Sequence, residues 1–362
     1  MNNRLISLDA FRGFTIFFMI IVNTPGSWSH VYAPLLHAKW NGATPTDYVF
    51  PFFLFIVGVS IVLAYHKKME GGDPMNGAVK KIIIRTLKIY FVGLFLWLFP
   101  AFDFGNIRLV GVLPRIAFVF LPCALLFLYT DWKFWLKLAG GILLAYWIIM
   151  VFLPIPGIGQ PDLSEPLKNW AHYLDSVALP GKKWQGTWDP EGILSTFPAI
   201  VTGISGMLAG HLIIVEKDTY KKLSYLMLSG FGLFVVGSMV DWFFPINKHI
   251  WSSSYVLHTS GLAYMTLGLF MYIIDVLGYQ KWTAIGRIFG ANAITAYVLS
   301  GVLTVIFYNN FGEFPGLNKV FVDGLGPIIS FKLASLLYAL IYVAIIFIPV
   351  NLLYQKKVFI KL

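Results

Sequence analysis

Residues 336–350 read LLYALIYVAIIFIPV, without a charged side chain, and residues 14–22, FTIFFMIIV, repeat the pattern near the other end of the chain. Similar apolar runs recur along nearly the whole sequence, separated by short polar or Pro/Gly-rich segments. Their length suits a hydrocarbon core ~30 Å thick, which a helix crosses in roughly 20 mostly apolar residues. A membrane barrel would show ~10-residue stretches of alternating polarity. Here apolar residues run on without alternation, so the spacing predicts an all-α, polytopic transmembrane helix bundle. Composition agrees: 58% of the 362 residues are hydrophobic and 12% charged, and the mean hydropathy is +0.73, far above that of soluble domains.

Working outward from these runs, ten spans are expected, at 8–24, 48–65, 82–100, 109–129, 134–153, 192–214, 223–244, 254–277, 284–308 and 328–353. An even number puts both termini on one side. Loops on that side hold Lys67, Lys68, Lys80, Lys81, Arg85, Lys88, Lys133, Lys137, Lys217, Lys221, Lys222, Lys281 and Arg287, and the tail adds Lys356, Lys357 and Lys361. The opposite loops carry fewer cations over more residues, so the positive-inside bias makes both termini cytoplasmic. The same bias accounts for the net charge of +10 without nucleic acid as a partner. The first span follows Arg4 and Arg12 and shows no small-residue cleavage pattern, so it is expected to be retained. A lone cysteine, Cys123, excludes an intramolecular disulfide. The chain reads as one domain, 1–362, with a loop or cap region on the outer face around 154–191.

Polar residues concentrate in the outer segments. Asn23 closes the first span, HAKWNG occupies 37–42 with His37, Trp40 and Asn41, and Asp47 stands at the mouth of the second. A histidine can accept or deliver a proton near neutral pH, and a neighbouring carboxylate can fix its tautomer. An interfacial histidine bonded to loop backbone, and a Trp40 serving only the interfacial belt, fit these residues too. A second cluster, Asp189-Pro190-Glu191-Gly192, introduces the sixth span, either as functional carboxylates or as a helix cap. A third, PINKHIW at 245–251 followed by three serines, offers Asn247, Lys248, hydroxyls and backbone N–H groups to an anion, or simply an N-cap. Within the spans, Asp9 and Arg12 have the spacing of a pair on one helix face. Arg115 follows Pro114, which is expected to leave a backbone carbonyl without its helical donor, and it is suited to a carboxylate or phosphate partner. Asn292 is a further polar residue at membrane depth. No Walker loop, HExxH, zinc-like Cys/His spacing or Gly-x-Ser-x-Gly elbow is present, so neither a metal nor ATP is called for.

SLDAFRG (7–13), VN (22–23), HAKWNG (37–42), TDYVFPFFLFIVGVS (46–60), DPEGILST (189–196), PINKHIWSSSYVL (245–257) and GANAITAYV (290–298), taken in order, resemble the heparan-α-glucosaminide N-acetyltransferase family and its bacterial relatives. GVLPRIA departs from the pattern, with Pro114 where glutamine is expected. The resemblance implies acetyl transfer from acetyl-CoA to the amine of a terminal glucosamine-like sugar or glycan at the non-cytoplasmic face, with dimerisation as a further family trait. His37 matches the family's catalytic histidine and Asn23 an active-site asparagine. His37 then serves as general base or as acetyl carrier, with Asp47 orienting it. Trp40, Asn41, Asn247, Lys248 and Asn292 become candidates for shaping the sugar or CoA site, Asp189 and Glu191 for binding, and Arg115 for the CoA phosphates. Without the long lumenal region of the lysosomal enzyme, the chain is expected in a bacterial inner membrane. The alternatives are a multi-span solute transporter and an O-acetyltransferase of an envelope polysaccharide.

Overall fold

The computed structural model describes residues 5–70, 75–310 and 315–360, with backbone alone at 68–70 and 75–76. Arg4, Lys361 and the Lys68 side chain, counted above toward orientation, lie outside the described residues. The chain forms α1 (Ile6–Asn23), α2 (Val49–Glu70), α3 (Met75–Leu98), α4 (Val112–Tyr129), α5 (Trp132–Phe152), α6 (Trp170–Ala178) and α7 (Ile193–Val215). These are followed by α8 (Thr219–Val240), α9 (Ser253–Phe270), α10 (Ala284–Ala291), α11 (Ala293–Tyr308), α12 (Leu317–Ile329) and α13 (Phe331–Gln355). No strand occurs among the described residues.

Among those residues, eight helices are long and apolar enough to cross a membrane, or nine if one bent pair counts as a single span. The chain is an integral membrane protein. Two of the ten expected spans stand outside the eight, each for a physical reason. The span at 82–100 lies in α3, which carries Lys80, Lys81, Arg85 and Lys88. The span at 284–308 is broken: Lys281–Ala291 and Ala293–Tyr308 meet at 73°. Asn292 forms the joint, with φ −130° and ψ 44°, outside helical geometry.

The helices group into two compact units. The first comprises Met1–His37, Thr44–Phe50 and Phe270–Leu362. Here α1 packs against α10, α11 and α13, while α12 lies along α13. The α1–α10 approach is close because Gly13 has no side chain; a Cβ there would strike the Gly286 carbonyl. The expected Asp9–Arg12 pair forms at 3.4 Å, and Arg12 also reaches the Gly290 carbonyl.

The second unit comprises Ala38–Ala43 and Pro51–Leu269. Helix α7 is its hub, contacting α4, α5, α6 and α8. Its apolar stretch is 67% buried against 22% for α8, as expected of a central helix and a lipid-facing one. Gly58 of α2 meets α7 at the Gly203 carbonyl, again a contact that a Cβ would block.

Candidate functional site

In the first unit, α1 ends at Asn23 and the chain passes through a short turn, Ala33–Leu35, to His37; it returns at Thr44 and enters a second turn, Pro45–Tyr48. Three side-chain bonds brace the outgoing stretch to the returning one. Thr46 Oγ1 donates to the Pro34 carbonyl at 3.0 Å, Thr44 Oγ1 donates to the Leu36 carbonyl at 2.5 Å, and His37 Nδ1 meets Asp47 Oδ1 at 2.6 Å. Asp47 is held independently: its Oδ2 accepts the Thr44 N–H at 2.9 Å in a capping box, and the residue is 1% exposed. A carboxylate acceptor on Nδ1 makes that nitrogen the protonated one and puts the basic lone pair on Nε2. The imidazole remains 37% exposed, so a buried anion orients a ring that solutes can reach. Asn23 is exposed at the end of α1, and its side chain hydrogen-bonds to none of the described residues.

In the second unit, the stretch after His37 joins the third cluster. Trp40 Nε1 and Asn41 Nδ2 both donate to the Leu163 carbonyl, at 2.8 and 3.1 Å. Asn247 Nδ2 donates to Asn41 Oδ1 at 2.9 Å, and Gly42 N–H donates to the Ile246 carbonyl at 2.7 Å. Asn247 itself is fully buried, and its Oδ1 accepts the His249 N–H at 2.8 Å. The Trp40 ring stacks on His249 with centroids 5.5 Å apart and meets Trp188 edge-on at 5.7 Å. Trp40, Asn41 and Asn247 are therefore brought together, with Lys248 half-buried beside Asn247. His249 and Trp188 complete the aromatic group and were not nominated from sequence; the place of His249 inside the PINKHIW motif was the available signal. The serines after it are spent inside the fold, Ser252 Oγ accepting the Asn247 N–H and Ser253 Oγ donating to the Leu143 carbonyl.

The DPEG turn does not cap α7 with its own carboxylates. Arg108 takes Asp189 in a two-pronged grip, Nε and Nη2 at 2.7 and 2.6 Å, and Nη2 also reaches Glu191 at 2.6 Å. The guanidinium lies over the Trp184 and Trp97 rings, and the two carboxylates hold it above the usual arginine range against the cost of burial. The acceptor at the helix start is Asp175 of α6, which takes the N–H of Ile193 at 2.9 Å and that of Asp189 at 3.1 Å. Neither Arg108 nor Asp175 was nominated from sequence.

Arg115 is 1% exposed in the first turn of α4, its Nη2 donating to Ser195 Oγ at 2.5 Å and to the Gly192 carbonyl at 3.2 Å, with Trp251 beneath it. Pro114 costs this helix no hydrogen bond, contrary to the expectation from its sequence. It sits where helical N–H groups have no acceptor anyway, and Arg115 N–H bonds normally to the Gly111 carbonyl. The Nε–H and Nη1–H of Arg115 find no acceptor among the described residues.

Asn292 lies elsewhere. Its Nδ2 donates to the Val358 carbonyl at 3.1 Å and its Oδ1 accepts the Ile360 N–H at 2.9 Å. Because Arg12 meets Gly290, this joint sits at the opening end of α1, a helix about 27 Å long by its 18 residues, whereas Asn23 closes the other end.

Residues 4–165 match the sequence family described as heparan-alpha-glucosaminide N-acetyltransferase, catalytic. The matched stretch holds Asn23, His37, Trp40, Asn41, Asp47 and Arg115. The chain is 27% identical over 364 residues to the heparan-alpha-glucosaminide N-acetyltransferase of Mus musculus, covering 84% of this chain and 54% of that protein. It is 28% identical over 353 residues to the protein of the same name in Homo sapiens, covering 82% and 52%. The chain thus spans about half the length of the curated relatives it matches. Motif order along the chain and these comparisons agree that this membrane protein is similar to the heparan-alpha-glucosaminide N-acetyltransferases.

Proposed function

We propose that the chain is a membrane-embedded acetyltransferase that moves acetyl from acetyl-CoA to the amine of a terminal glucosamine-like sugar. The observation that carries this reading is the 2.6 Å contact between His37 Nδ1 and the buried Asp47 carboxylate. An ammonium sugar must lose a proton before its nitrogen can attack a thioester. His37 Nε2 takes that proton, the amine nitrogen bonds to the acetyl carbon, and the carbonyl electrons move onto oxygen. Asn23, at the end of α1, supplies an amide donor for that oxyanion. Collapse expels the CoA thiolate, which recovers the first proton from the imidazolium, and the second nitrogen proton is released to water, leaving an amide and a free thiol. If His37 carries the acetyl instead, the same Nε2 attacks first and Asp47 balances the acylated ring.

Trp40, Asn41, Asn247 and Lys248 are assigned to the sugar or CoA site, supported by the shared hydrogen bonds that order the first three. Arg115 is assigned to a phosphate of CoA, supported by its two N–H groups without acceptors. Asp189 and Glu191 act through Arg108, and Asn292 through the segment it holds. The lysine-rich loops support cytoplasmic termini, with the sugar chemistry on the opposite face; the whole chain is taken to act as one acyltransferase domain, pairing as a homodimer in a bacterial inner membrane.

The test is transfer from radiolabelled acetyl-CoA to glucosamine by purified protein, wild type against His37→Ala. Transfer lost in the folded variant supports the reading, and no transfer by wild type to any amino sugar overturns it. Product linkage separates N- from O-acetylation. The broken α10–α11 pair favours one rival, a solute transporter, since discontinuous helices form substrate sites there. Solute flux into liposomes without acetyl-CoA would establish that rival.

A further inference from the structure

Asn23 closes α1 with its side chain exposed, so its aim is set by the backbone on either side of it. On one side is the helix. On the other, Thr24, Pro25 and Gly26 are buried, and every main-chain polar group of residues 25–27 is bonded to a residue of α11, α12 or α13. Tyr308 Oη, at the end of α11, donates to the Pro25 carbonyl at 2.8 Å. Asn318 Nδ2 of α12 donates to the Gly26 carbonyl at 3.0 Å. On α13, the Ser335 carbonyl accepts the Gly26 N–H at 3.2 Å, while Ser335 Oγ accepts the Ser27 N–H at 3.0 Å and donates to the Ser27 carbonyl at 3.2 Å. Gly26 has no room to shift: a Cβ there would stand 2.6 Å from Val322 Cγ2 and 2.9 Å from Tyr338 Cβ.

A buried turn needs partners for its main chain wherever it lies. What singles this one out is its place. It begins directly after the residue proposed to hold the oxyanion, and Pro25 is no more than about 7 Å from Asn23 between Cα atoms. Misplacing by about 1 Å a group that meets the transition state costs up to about 100-fold in rate. All three anchors lie outside residues 4–165, the stretch that matches the catalytic family, whereas Asn23 lies within it.

We propose, on the acetyltransferase reading above, that Tyr308 is a positioning residue: through the Pro25 carbonyl it holds the end of α1 so that the Asn23 amide meets the oxyanion. Asn318 and Ser335 hold the next two residues to the same end.

The experiment is a double-mutant cycle on acetyl transfer, with Asn23→Ala, Tyr308→Phe and the double variant purified in detergent and their Tm values checked. Tyr308→Phe keeps the ring that packs edge-on against Tyr338 at 5.8 Å and removes only the hydroxyl. Asn23→Ala should lower kcat about 100-fold, as loss of one oxyanion donor does. Tyr308→Phe should lower it about tenfold, with both KM values little changed. The double variant should be no slower than Asn23→Ala, since an amide that is absent cannot be misplaced. A merely structural hydroxyl would slow the Asn23→Ala background by the same factor as wild type. That additivity overturns the proposal, as does a wild-type kcat in Tyr308→Phe or in Asn23→Ala. If Tyr308→Phe does not fold, Ser335→Ala takes its place in the cycle, with the same non-additivity expected. No transfer by wild type to any amino sugar would instead bring down the acetyltransferase reading, and the role of Tyr308 with it.

Discussion

Asp47 serves His37 with one carboxylate oxygen, Oδ1 at 2.6 Å from Nδ1, while its other oxygen accepts the Thr44 N–H at 2.9 Å. Both oxygens are committed, so the position of the carboxylate, and with it the tautomer of the ring, is set by the backbone of the turn.

The first prediction follows from that double use. In Asp47→Asn only one side-chain atom can accept, so either the Thr44 N–H or the His37 Nδ1–H faces a donor. Acetyl transfer should fall roughly 10- to 100-fold, against at least about 100-fold for His37→Ala, the scale of a lost general base. The effect should appear in kcat with both KM values little changed, because in the proposed mechanism Asp47 acts through His37 and not on substrate. An Asp47→Asn protein as fast as wild type would remove Asp47 from the mechanism.

The Arg108 grip on Asp189 and Glu191 predicts a stability effect. Arg108→Lys keeps the charge but loses the planar fork, leaving at least one buried Asp189 oxygen with only its backbone N–H donor. A cost of about 3 kcal/mol is expected for breaking a buried pair from one side. Thermal unfolding in detergent should show a clear drop in Tm for Arg108→Lys and for Asp189→Asn. The double variant should lose less than the sum of the two, since both remove the same contact. Additive losses would mean that the pair is incidental.

How far the sequence could be read depended on distance along the chain. Apolar runs such as 336–350 are local signals, and helices form over each of them. The Asp9–Arg12 pair, three residues apart, was equally legible. The joint at Asn292 was not: a single span was expected over 284–308, where the helix breaks by 73°. What stayed hidden were partnerships across the fold. Arg108 and Asp189 are 81 residues apart, and Asp175 caps a helix start 18 residues on. Nothing local distinguishes Arg108 from the other outer-loop cations. Asp189 and Glu191 read equally as functional carboxylates or as a helix cap, and only the fold shows that another carboxylate, Asp175, has taken the cap. His37 and Asp47, ten apart within one loop, fell between these cases: chemistry suggested the pairing, and the two hydroxyl bonds bracing the loop bring it about.

Asp175 makes stability depend on pH. Burial pushes its carboxyl up to about 6, with the nearby Asp189 carboxylate adding to the shift; the N–H groups of Ile193 and Asp189 and the Arg115 charge oppose it. The folded value lies above the ordinary carboxylate range, so the folded state holds the proton more tightly than the unfolded chain. The associated stability is fully present below about pH 4 and is lost as pH rises through about 6. Relative to Asp175→Asn, which cannot titrate, wild type should therefore lose stability between those values, by on the order of 2 kcal/mol. Parallel unfolding curves across that window, with no change in the difference, would show that the carboxyl titrates normally. Gly192→Ala is a companion test, since its Cβ would run into the Asp175 carboxylate although the backbone φ of −70° suits alanine.

The last prediction separates two roles for Asn292. Sequence nominates it for binding, but its amide donates to the Val358 carbonyl and accepts the Ile360 N–H. If holding the segment after α13 is its function, Asn292→Ala should release that segment locally. Hydrogen exchange at the Ile360 amide should rise by about tenfold or more, the local opening expected when one of few tethers is cut. Amides in the middle of α13 should exchange as before. Acetyl transfer should keep its KM for both substrates, because the joint lies near the opening end of α1 and His37 follows the closing end. The opposite pattern, unchanged exchange at Ile360 with a raised KM for acetyl-CoA, would return Asn292 to the substrate site and make the tail contact a by-product of the helix break.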